Sequence, residues 1–172
     1  MEEIVCKTSY DYETLLKFQR FVTLKKSKFA TVTRIIFFPI VFITIVAELI
    51  LGIVNGFTSS EITTIIFLVL VIGVYLFLIL GIPVISAKKQ AKNDFKLVFT
   101  FTEEEIKIDA KGLLASESVS IKYEYVKEYY EYDNSFYLFI SMNQAYIVNA
   151  DMLENSNENI LRELLKSKIK SK

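Results

Sequence analysis

The chain has 172 residues, of which 52% are hydrophobic, and its 20 basic and 20 acidic side chains cancel at neutral pH. The apolar share lies above that of an ordinary globular chain. Histidine is absent, so the commonest general base and metal ligand is missing and histidine-dependent catalytic triads are excluded. Cys6 is the single cysteine, which excludes an intramolecular disulfide or a paired-cysteine metal site.

Residues 1–34 are predicted to form a cytosolic, basic segment next to a membrane, because they hold seven basic and four acidic side chains. Within it, residues 10–28 place Leu15, Phe18 and Val22 at spacings of three and four. This spacing predicts an amphipathic helix. The helix lies either on the bilayer surface or against the cytosolic domain.

Two apolar runs follow, at residues 35–54 and 62–85, and the only charged side chain in them is Glu48. Each reaches the roughly 20 residues that are needed to cross about 30 Å of hydrocarbon. They predict a transmembrane helical hairpin over residues 35–85. Since 34 mostly polar residues precede the first run, it does not resemble a cleaved signal peptide.

Basic residues flank both runs, whereas the connecting loop at residues 55–61 has none. Lysine and arginine are enriched on the cytoplasmic side of membrane proteins. We therefore predict a multi-pass protein of the inner (cytoplasmic) membrane with both termini in the cytoplasm. The flanking residues are Lys17, Arg20, Lys25, Lys26, Lys28 and Arg34 before the hairpin and Lys88, Lys89, Lys92 and Lys96 after it.

Glu48 is a candidate intramembrane functional residue, because ionisable groups inside a bilayer are costly. The alternative interpretation is structural, with a hydrogen-bonded Glu48 that joins the spans. No cationic partner exists in either run. Self-association through the spans is therefore a further expectation.

After a charged connector at residues 86–96, the hydrophobic period changes to two over residues 97–172, which predicts short half-buried strands. Ile160, Leu161, Leu164 and Leu165 then lie at helical spacing near the end. The predicted fold class is an α+β membrane protein, in which a small antiparallel sheet or partial barrel is capped by a C-terminal helix. Nine basic and thirteen acidic residues in this domain argue against nucleic acid as a partner.

The segment at residues 123–134, YEYVKEYYEYDN, is rich in tyrosine. Such a run is typical of an aromatic strand whose alternate rings are buried, with hydroxyl groups that reach water. The functional alternative is an interaction surface. Its candidate residues are Tyr125, Tyr130, Tyr132 and Tyr137.

This order of elements, with the segment YEYVKEYYEYDNSFYLFISMNQAYIVNADML at residues 123–153 late in the chain, resembles the YcxB-like family of small bacterial membrane proteins. The resemblance implies two spans followed by a pleckstrin-homology-like domain, a strongly bent sheet closed by one helix. Where the family often has Pro-Lys, this chain has Asn149 and Ala150, so no role of that lysine is carried over. The residues that carry the resemblance are Tyr123, Tyr125, Val126, Glu131, Phe136, Tyr137, Leu138, Phe139, Ser141, Asn143, Gln144, Ala145, Ile147 and Val148.

No residue set points to catalysis, a cofactor or a metal ion. The expected function is that of a non-enzymatic, membrane-anchored cytosolic module that binds an unidentified protein partner. The alternative is a membrane-resident immunity or protective protein that acts against a toxin or peptide at the bilayer.

Overall fold

A computed structural model describes residues 3–92, 96–111, 116–142, 144–154 and 158–169. The chain divides into two compact units, Met1–Phe18 with Ala87–Lys172, and Gln19–Ser86. The α+β class is confirmed, with helices and antiparallel sheets. Asn143 and residues 93–95 of the predicted connector lie outside the described residues.

The first unit contains two antiparallel sheets in which each strand pairs with its neighbour in sequence. Asp133 and Asn134, both with positive φ, form the two-residue turn between β5 and β6, where such turns match the strand twist. The four-stranded sheet consists of β1 (Ile4–Ser9), β2 (Lys96–Phe101), β3 (Glu105–Lys111) and β4 (Ser116–Lys122), and the three-stranded sheet consists of β5 (Glu128–Tyr132), β6 (Ser135–Phe139) and β7 (Ala145–Asn149).

Strand β1 is an element that the sequence analysis did not predict. It pairs antiparallel with β2, from Ile4 opposite Phe101 to Ser9 opposite Lys96, and Ile4 and Cys6 are buried in the core. The predicted β-rich domain at residues 97–172 is therefore incomplete. Residues 1–34 do not form one segment, because those up to Phe18 belong to the β-rich unit.

Helix α6 (Glu158–Lys168) packs on the core with Leu161, Leu164 and Leu165, which are buried. Ile160, which the sequence placed on the same stripe, is instead 47% exposed. Arg162 on the same helix donates to the Glu131 carboxylate from two nitrogens, from Nε at 2.8 and 3.0 Å and from Nη2. This hydrogen bonding lowers the pKa of Glu131 from its usual value. The pair thus holds the helix against β5 as an ion pair at neutral pH.

Helix α1 (Tyr12–Phe21) covers the other face of the three-stranded sheet. The Phe18 ring lies 5.3 Å from that of Tyr137 and 6.1 Å from that of Phe139, and Leu15 is buried. Of the two locations that the sequence left open, the burial of Leu15 and the ring contacts of Phe18 favour packing on the β-rich domain. Their apolar side chains are therefore not free to insert into a bilayer.

The second unit contains the apolar hairpin. Two continuous helical stretches, Ala30–Asn55 and Ser59–Ala91, are long and apolar enough to cross a membrane, which is compatible with the predicted spans. Their regular α-helical parts are α2 (Lys28–Val32), α3 (Phe38–Asn55), α4 (Ser59–Leu76) and α5 (Ile82–Ala91), with π-helical turns at Thr33–Phe37 and Phe77–Gly81. A third π-helical turn, Val22–Lys26, precedes α2.

Local sequence explains the sharp reversal of the hairpin. Gly56 ends α3 with a φ of 82°, a conformation that favours glycine. Thr58 caps α4, because its side chain accepts from the backbone N–H of Glu61 while the Glu61 carboxylate accepts from that of Thr58. This reciprocal capping box starts the second helix at Ser59, earlier than the predicted residue 62.

The position of β1 predicts that a fragment of residues 87–169 is less stable than the same fragment joined by a flexible linker to residues 3–18. The shorter fragment lacks Ile4, whose burial contributes about 1.5–3 kcal/mol, and leaves one edge of β2 open. Chemical denaturation followed by circular dichroism measures the difference. Equal midpoints for the two fragments would contradict the role of β1.

Candidate functional site

The four tyrosines predicted as an interaction surface do not form one. Tyr130 pairs with Tyr137 across β5 and β6, so both side chains, together with that of Tyr132, lie on the face of the sheet that α1 packs against. Tyr125 instead lies in a short 3-10 helix, Tyr123–Tyr125, between the two sheets. The structure therefore separates Tyr125 from the other three.

Tyr137 is a correction to the predicted surface, because its side chain is 0% exposed. The sequence suggested an exposed hydroxyl, but Phe18 of α1 packs on the ring. Burial also raises the Tyr137 pKa to about 12. Tyr137 therefore acts as a neutral core residue.

The remaining tyrosines differ in exposure. Tyr130 is partly buried, donates its hydroxyl to Glu128 over 3.2 Å and packs edge-on against Phe139. Tyr132 is 39% exposed and Tyr125 is 63% exposed. Tyr125 is therefore the candidate whose ring is most available to a partner.

Tyr125 lines an open groove of about 350 Å³ at the end of β4. Ile121 and Ile140 give the groove an apolar floor, and Glu124 and Lys127 add one charge of each sign. Large aromatic side chains at the edge of an apolar depression are typical of protein interaction sites. Sequence reasoning singled out Tyr125 but missed Ile140, because the two come together only when β6 folds back.

Glu48 lies in α3 and is partly buried. Among the described residues it makes no hydrogen bond or ion pair, and the nearby threonines use their hydroxyl protons within their own helices. Thr44 donates to the Ile40 carbonyl and Thr64 to the Ser60 carbonyl. Within one chain, therefore, Glu48 does not form the predicted hydrogen bond to the second apolar helix.

Cys6 has no environment that would activate a nucleophile. Its thiol is fully buried and donates to the backbone carbonyl of Asn149 at 3.2 Å. Burial raises the Cys6 pKa, which keeps the thiol protonated at neutral pH. The described part of the chain also holds no group of three or more acidic or cysteine side chains that would suit a metal ion.

Comparison with known proteins gave no match to a protein-family model, to a curated protein or to a solved structure.

The isolated carboxyl of Glu48 predicts association of the spans between copies. Glu48→Gln retains a donor and an acceptor and should preserve association. Glu48→Leu should weaken it by about 1 kcal/mol, the scale of an interhelical hydrogen bond in lipid. A membrane dimerisation assay on the full chain measures both, and equally strong association of Glu48→Leu and the parent chain would rule out this role.

Proposed function

We propose that the chain is a non-enzymatic, membrane-anchored module whose β-rich unit binds a protein partner or assembles with copies of itself. One observation carries the proposal: the apolar hairpin is inserted into the β-rich unit, between α1 and β2. The unit is thus tethered at two points in its chain. A soluble binding domain tethered in this way stays next to the membrane surface.

The pairing of β1 with β2 supports the predicted topology. Residues 4–9 precede the hairpin, residues 96–101 follow it, and the two segments are hydrogen-bonded neighbours. Both flanks of the hairpin must therefore lie on one side of any membrane that it crosses. The ten flanking basic residues favour the cytoplasmic side of the inner membrane.

The arrangement of the sheets supports the resemblance to the YcxB-like family and its pleckstrin-homology-like domain. Four strands form one sheet, three form the next, and α6 packs on the core that both sheets share. In this proposal the protein partner binds at the groove beside Tyr125. An anionic nucleic acid or lipid headgroup is a poor ligand for the unit, because acidic residues outnumber basic ones in residues 97–172.

The protective function remains a second proposal, supported by Glu48. A carboxyl group without a partner inside an apolar hairpin is a candidate contact for a peptide that enters the bilayer. If Glu48→Leu abolished protection against a membrane-active peptide while the spans still associated normally, this second function would be favoured over the first.

The topology can be tested with reporters that are active only outside the cytoplasm. A reporter inserted after Gly56 should be active, because the loop lies between the two helical stretches, and one fused after Lys172 should be silent. Activity of the C-terminal fusion would overturn the cytoplasmic location of the β-rich unit.

The binding role of the groove can be tested by a photoreactive amino acid at Tyr125 in the full chain in native membranes. We expect a discrete protein adduct there, whereas the same amino acid at Tyr132, which is exposed on a different face, should give less. A strand or loop of a partner that fills the groove would exclude water from the Tyr125 ring. Identical adducts at the two positions would contradict a specific site.

A further inference from the structure

Strand β4 is an open edge of the four-stranded sheet. It pairs with β3 from Ser116 opposite Lys111 to Lys122 opposite Glu105, and among the described residues no other group bonds to its backbone. An edge strand presents a row of unpaired N–H and C=O groups. The chemical complement of such a row is another extended strand.

The opposite edge of this sheet is protected in a way that β4 is not. The Thr8 hydroxyl of β1 accepts from the Asn149 backbone N–H at 3.2 Å, and the Tyr10 hydroxyl accepts from that of Ile147 at 2.8 Å. These side-chain bonds join β1, and Tyr10 directly after it, to β7. The middle of β4, residues 118–121, carries no charge that would repel another strand.

Two rows of apolar side chains cross the sheet and end at β4, the first at an exposed side chain and the second at a partly buried one. In the first, Phe99 and Ile108 are 0% and 4% exposed, whereas Val119 at the edge is 46% exposed. The second row runs from Phe101 through Ile106 to the partly buried Ile121. Both rows lie on the face of the sheet that forms the core. At Val119 and Ile121 the apolar side chains of that face are not fully covered.

We propose that β4 pairs antiparallel with β4 of a second copy, about a twofold axis at Ser120. This register places Val119 of each copy opposite Ile121 of the other, so each apolar row of one copy continues into the complementary row of the next. Glu117 and Lys122 then face no side chain of like charge. Such a self-complementary surface is what a twofold interface requires.

Because Ser120 and Ile121 also line the groove beside Tyr125, the second copy is the partner that this inference assigns to that groove. The inference rests on the proposed function, because the spans make a small interface sufficient. One pair of seven-residue strands buries less than the roughly 1,200 Å² that is typical of a stable complex of free proteins. Anchoring confines copies to one surface and raises their effective concentration. It also accords with the association that Glu48 predicts.

Disulfide trapping tests the register in the full chain in membrane vesicles. Ser120→Cys places two thiols directly opposite each other, within the Cα separation of up to about 7 Å that a disulfide spans. Ser118→Cys is the matched control on the same face of β4. Its thiols would lie about four residues apart along the strands, roughly 13 Å. The native Cys6 is buried and does not interfere.

Mild oxidation should give a covalent dimer with Ser120→Cys and little with Ser118→Cys. Adding Val119→Lys to Ser120→Cys should lower the dimer yield by about tenfold, because it removes two apolar cross-strand pairs. A maleimide should label Ser120→Cys equally with and without Val119→Lys, which shows that the strand remains accessible and folded.

Three results would overturn the proposal: no dimer with Ser120→Cys, equal dimer with Ser118→Cys, or a covalent adduct with a different protein instead of a second copy. Extraction of the vesicles with alkaline carbonate separates failure of this proposal from failure of the proposed function. A chain released by carbonate is not an integral membrane protein, whereas a retained chain without a Ser120 dimer is anchored but does not pair through β4.

Discussion

The pairing of β1 with β2 is the contact on which the rest of the molecule depends. Ser9 and Lys96, which pair at one end of these strands, are 87 positions apart in the chain. Closing an unstructured loop of that length costs about 4 kcal/mol. Burial of Ile4 and Cys6, and the backbone bonds of the strand pair, offset this cost. The helical hairpin lowers it, because a folded insertion has little entropy left to lose. Its own capping box and Gly56 turn make the hairpin a locally encoded element.

This dependence explains which features were visible in the sequence. The apolar runs, the alternation of β2 and β3, and the leucine stripe of α6 are local patterns, and the structure confirms helices or strands there. Strand β1 has six residues, and its partner lies beyond the hairpin, so no local pattern could indicate the pairing. Likewise, the alternation around Tyr137 indicates a strand, but the covering ring of Phe18 comes from a segment more than a hundred positions earlier.

The candidate site was predictable to a smaller degree than the fold. Composition indicated an aromatic segment and an unusual carboxyl group within an apolar run. In the structure Tyr125 is exposed and Glu48 is partly buried in α3. The groove beside Tyr125 depends on Ile121 and Ile140. Ile121 lies in β4 of the four-stranded sheet, and Ile140 directly follows β6 of the three-stranded sheet. Such a site is created by the packing of the two sheets. The spacing of residues along one strand does not predict this packing.

The two edge strands of the four-stranded sheet, β1 and β4, have different structural roles because the hairpin is inserted between β1 and β2 in the chain. The first edge strand, β1, must stay in place if one unit is to hold both flanks of the hairpin. The side chains of Cys6, Thr8 and Tyr10 bond to the backbone of β7, at Asn149 and Ile147. The other edge strand, β4, does not adjoin the hairpin in the chain. Its outer backbone N–H and C=O groups are unpaired among the described residues, and Val119 is exposed. The fold therefore secures the edge of the sheet that is next to the hairpin in the chain, whereas the backbone edge of β4 is unpaired among the described residues. In the function proposed above, anchoring makes association through so small a surface effective.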